Sequence, residues 1–327
     1  MTTTTDQDNG AAKEAVLSAL GRSGDQMART LASCRDGTRN VPGLVWNVAD
    51  LSAHLVLTLR ELTLALLGEQ CAYDGATVAG TAAAVDNYLV AEFPVRDMVA
   101  LAEMFDVERA RFVAALSDVD PDQPVPAIAP NATALALGAI FVVDHNNHGT
   151  QLAEAGARPW HLDLDDVRRC IAAVAPATCD RQAAAHMSWR FALHLRGAAP
   201  LALSVEHGAL VVGEVTGPVD CHIVADPSAF LLESAGGFIS RPEMVFTGKL
   251  FAYGWRVWAI LSLPKLLPPV QHGGKILHGL ARHREKVAAR REVALRKVQR
   301  AERVGGTDSR PTLVRPRVPQ SESEQPR

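Results

Sequence analysis

Apolar residues in the first half of the chain recur every three to four positions, a spacing typical of helices that bury one face. Residues 11–35 predict a first helix. Residues 84–118 predict helix with a break near Pro94, and a further helix covers residues 133–155. A second helix, before these last two, carries an apolar stripe of Leu51, Leu55, Leu59, Leu62 and Leu66. Together the helices predict an antiparallel four-helix bundle over residues 11–160.

Local capping signals mark the start of the second helix. Asn47 is a good N-cap residue, and Asp50, three positions later, can cap in return or complement the helix dipole. Trp46 and Leu51 occupy the two positions of a hydrophobic staple. The helix is therefore expected to begin after Asn47, which places His54 beside the leucine stripe.

After Trp160 the pattern changes to short apolar runs separated by glycine turns. Residues 161–180 predict a linker helix. The runs that follow predict strands over residues 191–195, 201–205, 210–212 and 221–224. Asp226 and Pro227 are then typical of a helix start. Residues 181–270 thus predict a small α+β domain behind the helical bundle, and the fold class is α followed by α+β.

Both ends of the chain differ from the globular parts in composition. Residues 1–10 and 305–327 are polar and predict disorder, whereas residues 271–304 predict a basic helix. From Lys275 onward there are 14 basic and 6 acidic residues, a net charge of +8, and the rest of the chain carries −11. A basic helix suits nucleic acid or a membrane surface, but aromatic residues do not interleave with the basic ones. We therefore favour a solvated helix docked on the acidic body and expect no nucleic-acid partner.

Composition and hydropathy predict a globular protein of the cytoplasm. Of the 327 residues, 48% are hydrophobic, which is enough for packed cores. The nearest approach to a membrane span, residues 257–267, is eleven residues long and contains Pro264 and Lys265, so no transmembrane segment is predicted. The polar N-terminus does not resemble a signal peptide. Five cysteines without C-x-x-C spacing predict reduced thiols rather than disulfides.

Two distant segments carry residues with the chemistry of metal ligands. Asp144 and His148 are four positions apart, so they project from one helix face, and His54 comes from a second helix. Two imidazoles and a carboxylate leave one tetrahedral position open, as in catalytic zinc sites. The alternatives are a packed histidine for His54 and a surface pair for the other two. His145 competes as a ligand because it lies near the same helix face.

Two neighbouring polar residues have two interpretations each. Asp50 lies one turn before His54 and either orients the imidazole or only caps the helix start, with capping favoured. Asn147 either contacts substrate or lies on a solvated helix face. The sequence leaves both alternatives open.

Three segments carry a family resemblance: VPGLVWNVADLSAHL at residues 41–55, DHNNHG at residues 144–149 and AGARPW at residues 155–160. They resemble segments of the mycothiol-dependent maleylpyruvate isomerase family, a branch of the DinB-like metal-binding bundles. The resemblance implies a divalent metal, usually zinc, held by two histidines and a carboxylate. The ligands it implies here are His54, Asp144 and His148.

The resemblance also implies an enzyme that activates the thiol of mycothiol for attack on an electrophilic substrate. Addition to a cis double bond gives isomerisation, and displacement of a leaving group gives S-transfer; both stay open. This chain departs from the family at two positions. Asp144 stands where the family has glutamate, and Gln151 stands where the family often has aspartate.

The second half resembles the sterol-carrier type of α+β domain. Residues 226–232 and 247–254, followed by residues 255–267, carry this resemblance. It implies an apolar cavity for a lipid-like molecule. The alternative function is therefore a non-catalytic protein that binds a hydrophobic ligand in its second domain and uses the bundle as a scaffold.

Overall fold

A computed structural model of the chain describes residues 4–74, 81–125, 127, 131–234 and 241–267. Within these ranges, a helical N-terminal region precedes a mixed five-stranded sheet. This order of secondary structure matches the predicted succession of α and α+β parts. The basic helix predicted over residues 271–304 and the disorder predicted over residues 305–327 lie outside the described residues.

In the described part of the N-terminal region, the helices are α1 (Thr4–Ser33), α2 (Val48–Leu66), α3 (Thr81–Glu92), α4 (Met98–Asp118) and α5 (Ala134–Glu154). Helix α2 packs on α4, and α1 packs on both α4 and α5. Their shared core buries Leu51, Phe105 and Phe141 completely. Helix α1 begins at Thr4, so residues 4–10 are helical where the sequence predicts disorder. No proline interrupts this stretch, and the helical backbone extends through it.

Helix α2 begins where its capping signals predict. Asn47 Oδ1 accepts from the Asp50 backbone N–H at 2.8 Å, and Asp50 Oδ2 accepts from the Asn47 N–H at 3.3 Å. This reciprocal capping box satisfies two backbone donors. The predicted break near Pro94 separates α3 from α4. Thr133 caps α5 as predicted, since its hydroxyl accepts from the Ala136 N–H.

The described strands are β1 (Arg190–Leu195), β2 (Leu201–Glu206), β3 (Ala209–Gly213), β4 (Cys221–Ala225) and β5 (Leu250–Tyr253). They lie in the order β3-β2-β1-β4-β5. Strand β1 runs parallel to β4, and the other neighbours are antiparallel. The four predicted strands are present. Strand β5 is an addition to the prediction, because four residues are too short to show a periodic signal.

The remaining described helices are α6 (Leu164–Thr178), α7 (Arg181–Ala184), α8 (Pro227–Ser234), α9 (Arg241–Phe246), a 3₁₀-helix (Val257–Ser262) and α10 (Leu263–Leu266). Helix α6 does more than link the two parts of the chain. Its residues Val167 and Ile171 are buried in the core of the sheet, whereas Cys170 is buried in the helical core. The helix therefore packs on α5 and on β3 and joins the two cores.

The apolar segments that suggest a carrier cavity have two different environments. Leu231 is buried in the core of the sheet. Trp255, Trp258 and Leu261 are 68%, 56% and 75% exposed. The sterol-carrier assignment of residues 181–270 stays a prediction.

The described helices include none that is both long enough and apolar enough to cross a membrane. All five cysteines lie in described ranges, and each is a free thiol there. Burial raises the pKa of the Cys170 thiol, which keeps it protonated and unreactive. Reduced thiols in the protein stay a prediction.

Candidate metal centre

His54 on α2 and the pair Asp144 and His148 on α5 come together inside the helical region. Their candidate ligand atoms, one from each side chain, lie within 4.8 Å of one another. The three residues are 3%, 6% and 0% exposed, respectively. The two distant segments singled out in the sequence thus converge on one buried point.

The start of α2 determines where His54 lies. Because the helix begins directly after Asn47, His54 falls in its second turn and meets α5. The ring of Trp46 lies 5.1 Å from the imidazole, centroid to centroid. The rings of His54 and His148 meet edge to face at 5.2 Å and 81°. These ring contacts restrict the plane of the His54 imidazole.

Hydrogen bonds define which ring nitrogen of each neutral imidazole carries the proton. His148 Nδ1 lies 2.7 Å from Gln151 Oε1, which can only accept, so Nδ1 is the donor. Thr58 Oγ1 donates its single proton to the His54 carbonyl at 2.9 Å and accepts from His54 Nδ1 at 3.2 Å. With Nδ1 as the donor, each imidazole would present Nε2 to a metal, as second-layer hydrogen bonds arrange in established metal sites.

The donor atoms fit a tetrahedral cation. Bonds of about 2.0–2.1 Å at tetrahedral angles place two ligand atoms about 3.3 Å apart. His148 Nε2 and Asp144 Oδ1 are 3.1 Å apart. The donor atom of His54 lies within 4.8 Å of both, so a small rotation of the imidazole would bring all three donor atoms to bonding distance of one cation. Two imidazole nitrogens and one carboxylate oxygen are also the donor types of catalytic zinc sites.

Burial and charge act differently on the two imidazoles. Burial, together with the charge of His148, lowers the pKa of His54 to about 4, although Asp144 opposes the shift. Burial also disfavours the charged form of His148, but the charge and hydrogen bond of Asp144, the hydrogen bond of Gln151 and the charge of Asp86 together raise the pKa of His148. His54 is therefore neutral at pH 7, which is the form that binds a cation.

His145, the competing ligand, points away from the candidate centre. Its Nδ1 lies 3.0 Å from Ser23 Oγ on α1, and the rings of Phe105 and Phe141 lie against its imidazole. Among the described residues, the cluster of candidate ligands does not include it. His145 is a packed core histidine.

Acid is expected to destabilise the metal-free protein through His145. Burial lowers the pKa of His145 to about 4, and the charge of Asp144 only partly opposes this. The unfolded chain binds a proton near the ordinary pKa of 6.5, whereas the folded chain does not. The free energy of unfolding therefore falls as the pH drops from 6.5 to about 4, by about 3 kcal/mol in full.

Urea unfolding of chelator-treated protein, at neutral pH and near pH 5, measures this loss. The variant His145→Phe lacks the titrating group, so it should lose less stability over the same pH step. Equal losses in the two proteins would show that His145 does not cause the effect.

Asp50 caps the start of α2. Besides its capping bonds, its carboxylate accepts from Arg96 Nε at 3.0 Å. The capping interpretation of Asp50 is therefore the correct one. Arg96 in turn donates to the backbone carbonyls of Val90, Phe93 and Val95, which fixes the connection between α3 and α4.

Asn147 is fully buried, which excludes the solvated helix face. It precedes His148 and lies one turn from both Asp144 and Gln151 on α5. In the described part of the chain, neither its amide nitrogen nor its carbonyl oxygen has a hydrogen-bond partner. A buried amide without partners costs about 1–3 kcal/mol. Asn147 is thus a buried polar group next to His148 in the chain, and its burial costs stability.

Three further residues of the site are absent from the candidates that the sequence suggests: Thr58, Tyr73 and Asp86. The Tyr73 hydroxyl donates to Asp86 Oδ1, and this oxygen lies 3.7 Å from His54 Nδ1. Thr58 follows His54 by one helical turn, so helical spacing alone predicts that the two side chains are neighbours. Tyr73 and Asp86 come from the segment after α2 and from α3, and no local spacing connects them with His54.

Two of the three segments that carry the family resemblance are in direct contact. Trp160 packs over Gly149, where an added Cβ atom would lie 2.1 Å from ring carbon Cδ2. Trp160 Nε1 also donates to Asn146 Oδ1 at 3.0 Å. The glycine after His148 therefore makes room for the tryptophan that packs against the C-terminal half of α5.

Helices that direct two histidines and a carboxylate at one buried point are typical of metal-binding helical domains. Residues 17–153 match the family model of the mycothiol maleylpyruvate isomerase N-terminal domain. This match covers all three candidate ligands. Among curated proteins, none matches the chain significantly.

Two solved structures show a distant likeness to the chain. A crystal structure of the mycothiol-dependent maleylpyruvate isomerase has 17% sequence identity, covers 68% of this chain and 89% of its own, and has a TM-score of 0.42. A crystal structure of a histidine-to-alanine mutant of the mycothiol-dependent maleylpyruvate isomerase has 12% identity, covers 73% and 92%, and has a TM-score of 0.44. Both TM-scores are below 0.5, and the family match over residues 17–153 is the stronger finding.

Proposed function

We propose that the chain is a metal-dependent enzyme that uses a low-molecular-weight thiol. In this proposal His54, Asp144 and His148 hold a divalent cation, most simply zinc, inside a four-helix bundle made of α1, α2, α4 and α5. One observation carries the proposal: three donor atoms of the right types converge within 4.8 Å in a buried site. The family match over the same part of the chain supports it.

A divalent metal in this site supplies a Lewis acid that favours a bound thiol in its thiolate form. Asp144 contributes one negative charge against two positive ones, so the ligand set leaves a net attraction for an anionic sulfur. Gln151 and Thr58 hold the two imidazoles with Nε2 directed at the cation. Burial of the site excludes water and strengthens these electrostatic interactions.

Mycothiol is the proposed thiol, and the family match is its support. The proposed reaction is attack of the activated sulfur on an electrophile in the cytoplasm. Reversible addition to a cis double bond, followed by rotation and loss of the thiol, isomerises the substrate. Displacement of a leaving group instead transfers the sulfur. Of the two, isomerisation has the support of the family match.

Assays of zinc-loaded protein with maleylpyruvate and a panel of thiols test this proposal. We expect turnover with mycothiol, and at least tenfold less with glutathione or coenzyme A, because the site is proposed to recognise more than the sulfur. Chelation should abolish turnover, and added zinc should restore it. Equal turnover in the chelated protein, or turnover without any thiol, would contradict the proposal.

Asn147→Leu is expected to stabilise the unliganded protein and to weaken its use of the thiol. The near-isosteric leucine removes two buried polar groups that have no partner in the described structure, which is worth about 1 kcal/mol. We propose that the same amide hydrogen-bonds the bound thiol, so KM for the thiol should rise about tenfold.

Thermal unfolding and thiol saturation curves measure the two effects. Asn146→Leu is the matched control, because Asn146 donates to the Val142 carbonyl and accepts from Trp160 Nε1. This control should lose stability. An unchanged KM in Asn147→Leu would rule out the proposed contact with the thiol.

A second candidate function is binding of a hydrophobic ligand by the sheet region. The exposed side chains of Trp255, Trp258 and Leu261, which are close together in the sequence, favour it, because exposed apolar surface often marks a binding site. Titration with a fluorescent fatty acid tests it through energy transfer from tryptophan. Saturable binding that Trp258→Ala weakens is the expected result, and the absence of transfer would exclude this function.

A further inference from the structure

A buried polar cluster lies beside Nδ1 of the His54 imidazole. It consists of Thr58 on α2, Tyr73 in the segment that follows α2, and Asp86 on α3. The three residues are 7%, 1% and 5% exposed. Three separate parts of the chain thus place polar groups around one edge of a single imidazole.

The geometry of the cluster is directed at His54 Nδ1. This nitrogen lies 3.2 Å from Thr58 Oγ1 and 3.7 Å from Asp86 Oδ1. The Thr58 hydroxyl donates to the His54 backbone carbonyl at 2.9 Å and also lies 3.4 Å from the Tyr73 hydroxyl, so its proton is directed away from Nδ1 and its oxygen accepts there. A carboxylate also only accepts. Both neighbours therefore select the form of His54 that carries its proton on Nδ1.

Tyr73 holds the carboxylate of Asp86 in place. Its hydroxyl donates to Asp86 Oδ1, the same oxygen that faces His54. A buried carboxylate is costly unless hydrogen bonds compensate it, and Tyr73 supplies one such bond. The hydrogen bond between Tyr73 and Asp86 would by itself be enough to link α3 to the segment after α2. Asp86 Oδ1 also lies 3.7 Å from His54 Nδ1, which such a link does not require.

We infer that Asp86 is a positioning residue for His54 and that Tyr73 positions Asp86. The inference rests on the proposed metal centre and adds to it the residues that orient one ligand. Asp86 keeps the proton of His54 on Nδ1, so that Nε2 is directed at the cation, and its negative charge strengthens the imidazole as a donor. At its own Nδ1, His148 has a neutral amide, Gln151, although the charge of Asp86 also acts on His148.

The two histidines of the centre are therefore supported unequally. A carboxylate behind a metal-bound histidine typically changes metal affinity by about 10–100-fold. The Asp86 variant should therefore lose affinity for the metal itself, whatever its effect on turnover.

Competition with a chromophoric chelator measures the cobalt(II) affinity of the full chain, and the visible spectrum of the cobalt protein reports the ligand geometry. Asp86→Asn should lower the affinity about 10–100-fold and change the cobalt spectrum. Tyr73→Phe should lower the affinity several-fold, because the carboxylate loses its tether. Asp166→Asn is the matched control, since Asp166 is a buried carboxylate that accepts from Arg22 instead. It should lose stability but keep the affinity and the spectrum of the wild type.

The outcomes separate this inference from the proposed function. If the wild-type protein binds no cobalt, both the proposed metal centre and this inference are wrong. Wild-type affinity and spectrum in folded Asp86→Asn overturn the inference and leave the metal centre standing. If Asp86→Asn does not fold, Tyr73→Phe decides: a several-fold loss of affinity supports the inference, and wild-type affinity overturns it.

Discussion

His148→Ala is expected to empty the metal centre and to lower thiol-dependent turnover by about a thousandfold. His148 is fully buried, and its Nε2 lies 3.1 Å from Asp144 Oδ1, a spacing that suits two ligands of one cation. Its removal leaves one imidazole and one carboxylate, too few protein donors for a tight zinc site. A metal contributes several kcal/mol to stabilising a reacting anion, which corresponds to about three powers of ten in rate.

Metal analysis of the purified variant, together with the thiol assay, checks this prediction. His145→Ala is the matched control, because His145 lies on the same helix and is as deeply buried but bonds to Ser23 instead. The control should lose stability and keep its metal. A His148→Ala protein that keeps the metal content of the wild type would exclude His148 as a ligand.

Gly149→Ala is expected to destabilise the folded protein, although alanine is the better helix former. In α5 the exchange gains about 1 kcal/mol from helix propensity. The new Cβ atom, however, would lie 2.1, 2.2 and 2.4 Å from three carbon atoms of the Trp160 ring. Such overpacking costs about 1–3 kcal/mol and sometimes more. The ring is also tied to Asn146 by a hydrogen bond, so it cannot move away without losing that bond. The clash therefore outweighs the gain.

Thermal unfolding compares this variant with Gly21→Ala. Gly21 lies inside α1, and an added Cβ there meets no atom within 4 Å. The control should therefore gain about 0.5–1 kcal/mol from the same chemical change. The expected result is opposite signs for the two variants. A stabilised Gly149→Ala would mean that Trp160 does not pack over Gly149 as described.

Features that depend on contacts within one helix could be predicted from the sequence. The capping box of Asn47 and Asp50 determines the start of α2, and the four-residue spacing of Asp144 and His148 places both on one face of α5. The position of His54 followed from the start of α2. The candidate ligands could therefore be predicted from local patterns and a family resemblance.

Features that depend on contacts between elements could not be predicted in the same way. Asp86 approaches His54 from another helix, and Tyr73, which lies outside the described helices and strands, donates to Asp86. Hydropathy patterns do not encode such pairs. Likewise, the sequence around Asn147 is compatible with a solvent-exposed helix position, and only the packing of the helical region shows that the side chain is buried. The parallel pairing of β1 with β4 also joins strands that are not neighbours in the sequence.

X-ray absorption at the zinc edge of the wild-type protein tests the central claim most directly. Without thiol, the account predicts bound zinc with only nitrogen and oxygen neighbours, two of them imidazoles, as His54, Asp144 and His148 supply. With mycothiol added, it predicts one sulfur neighbour at about 2.3 Å. Zinc that is not retained, or that gains no sulfur neighbour with the thiol, would contradict it.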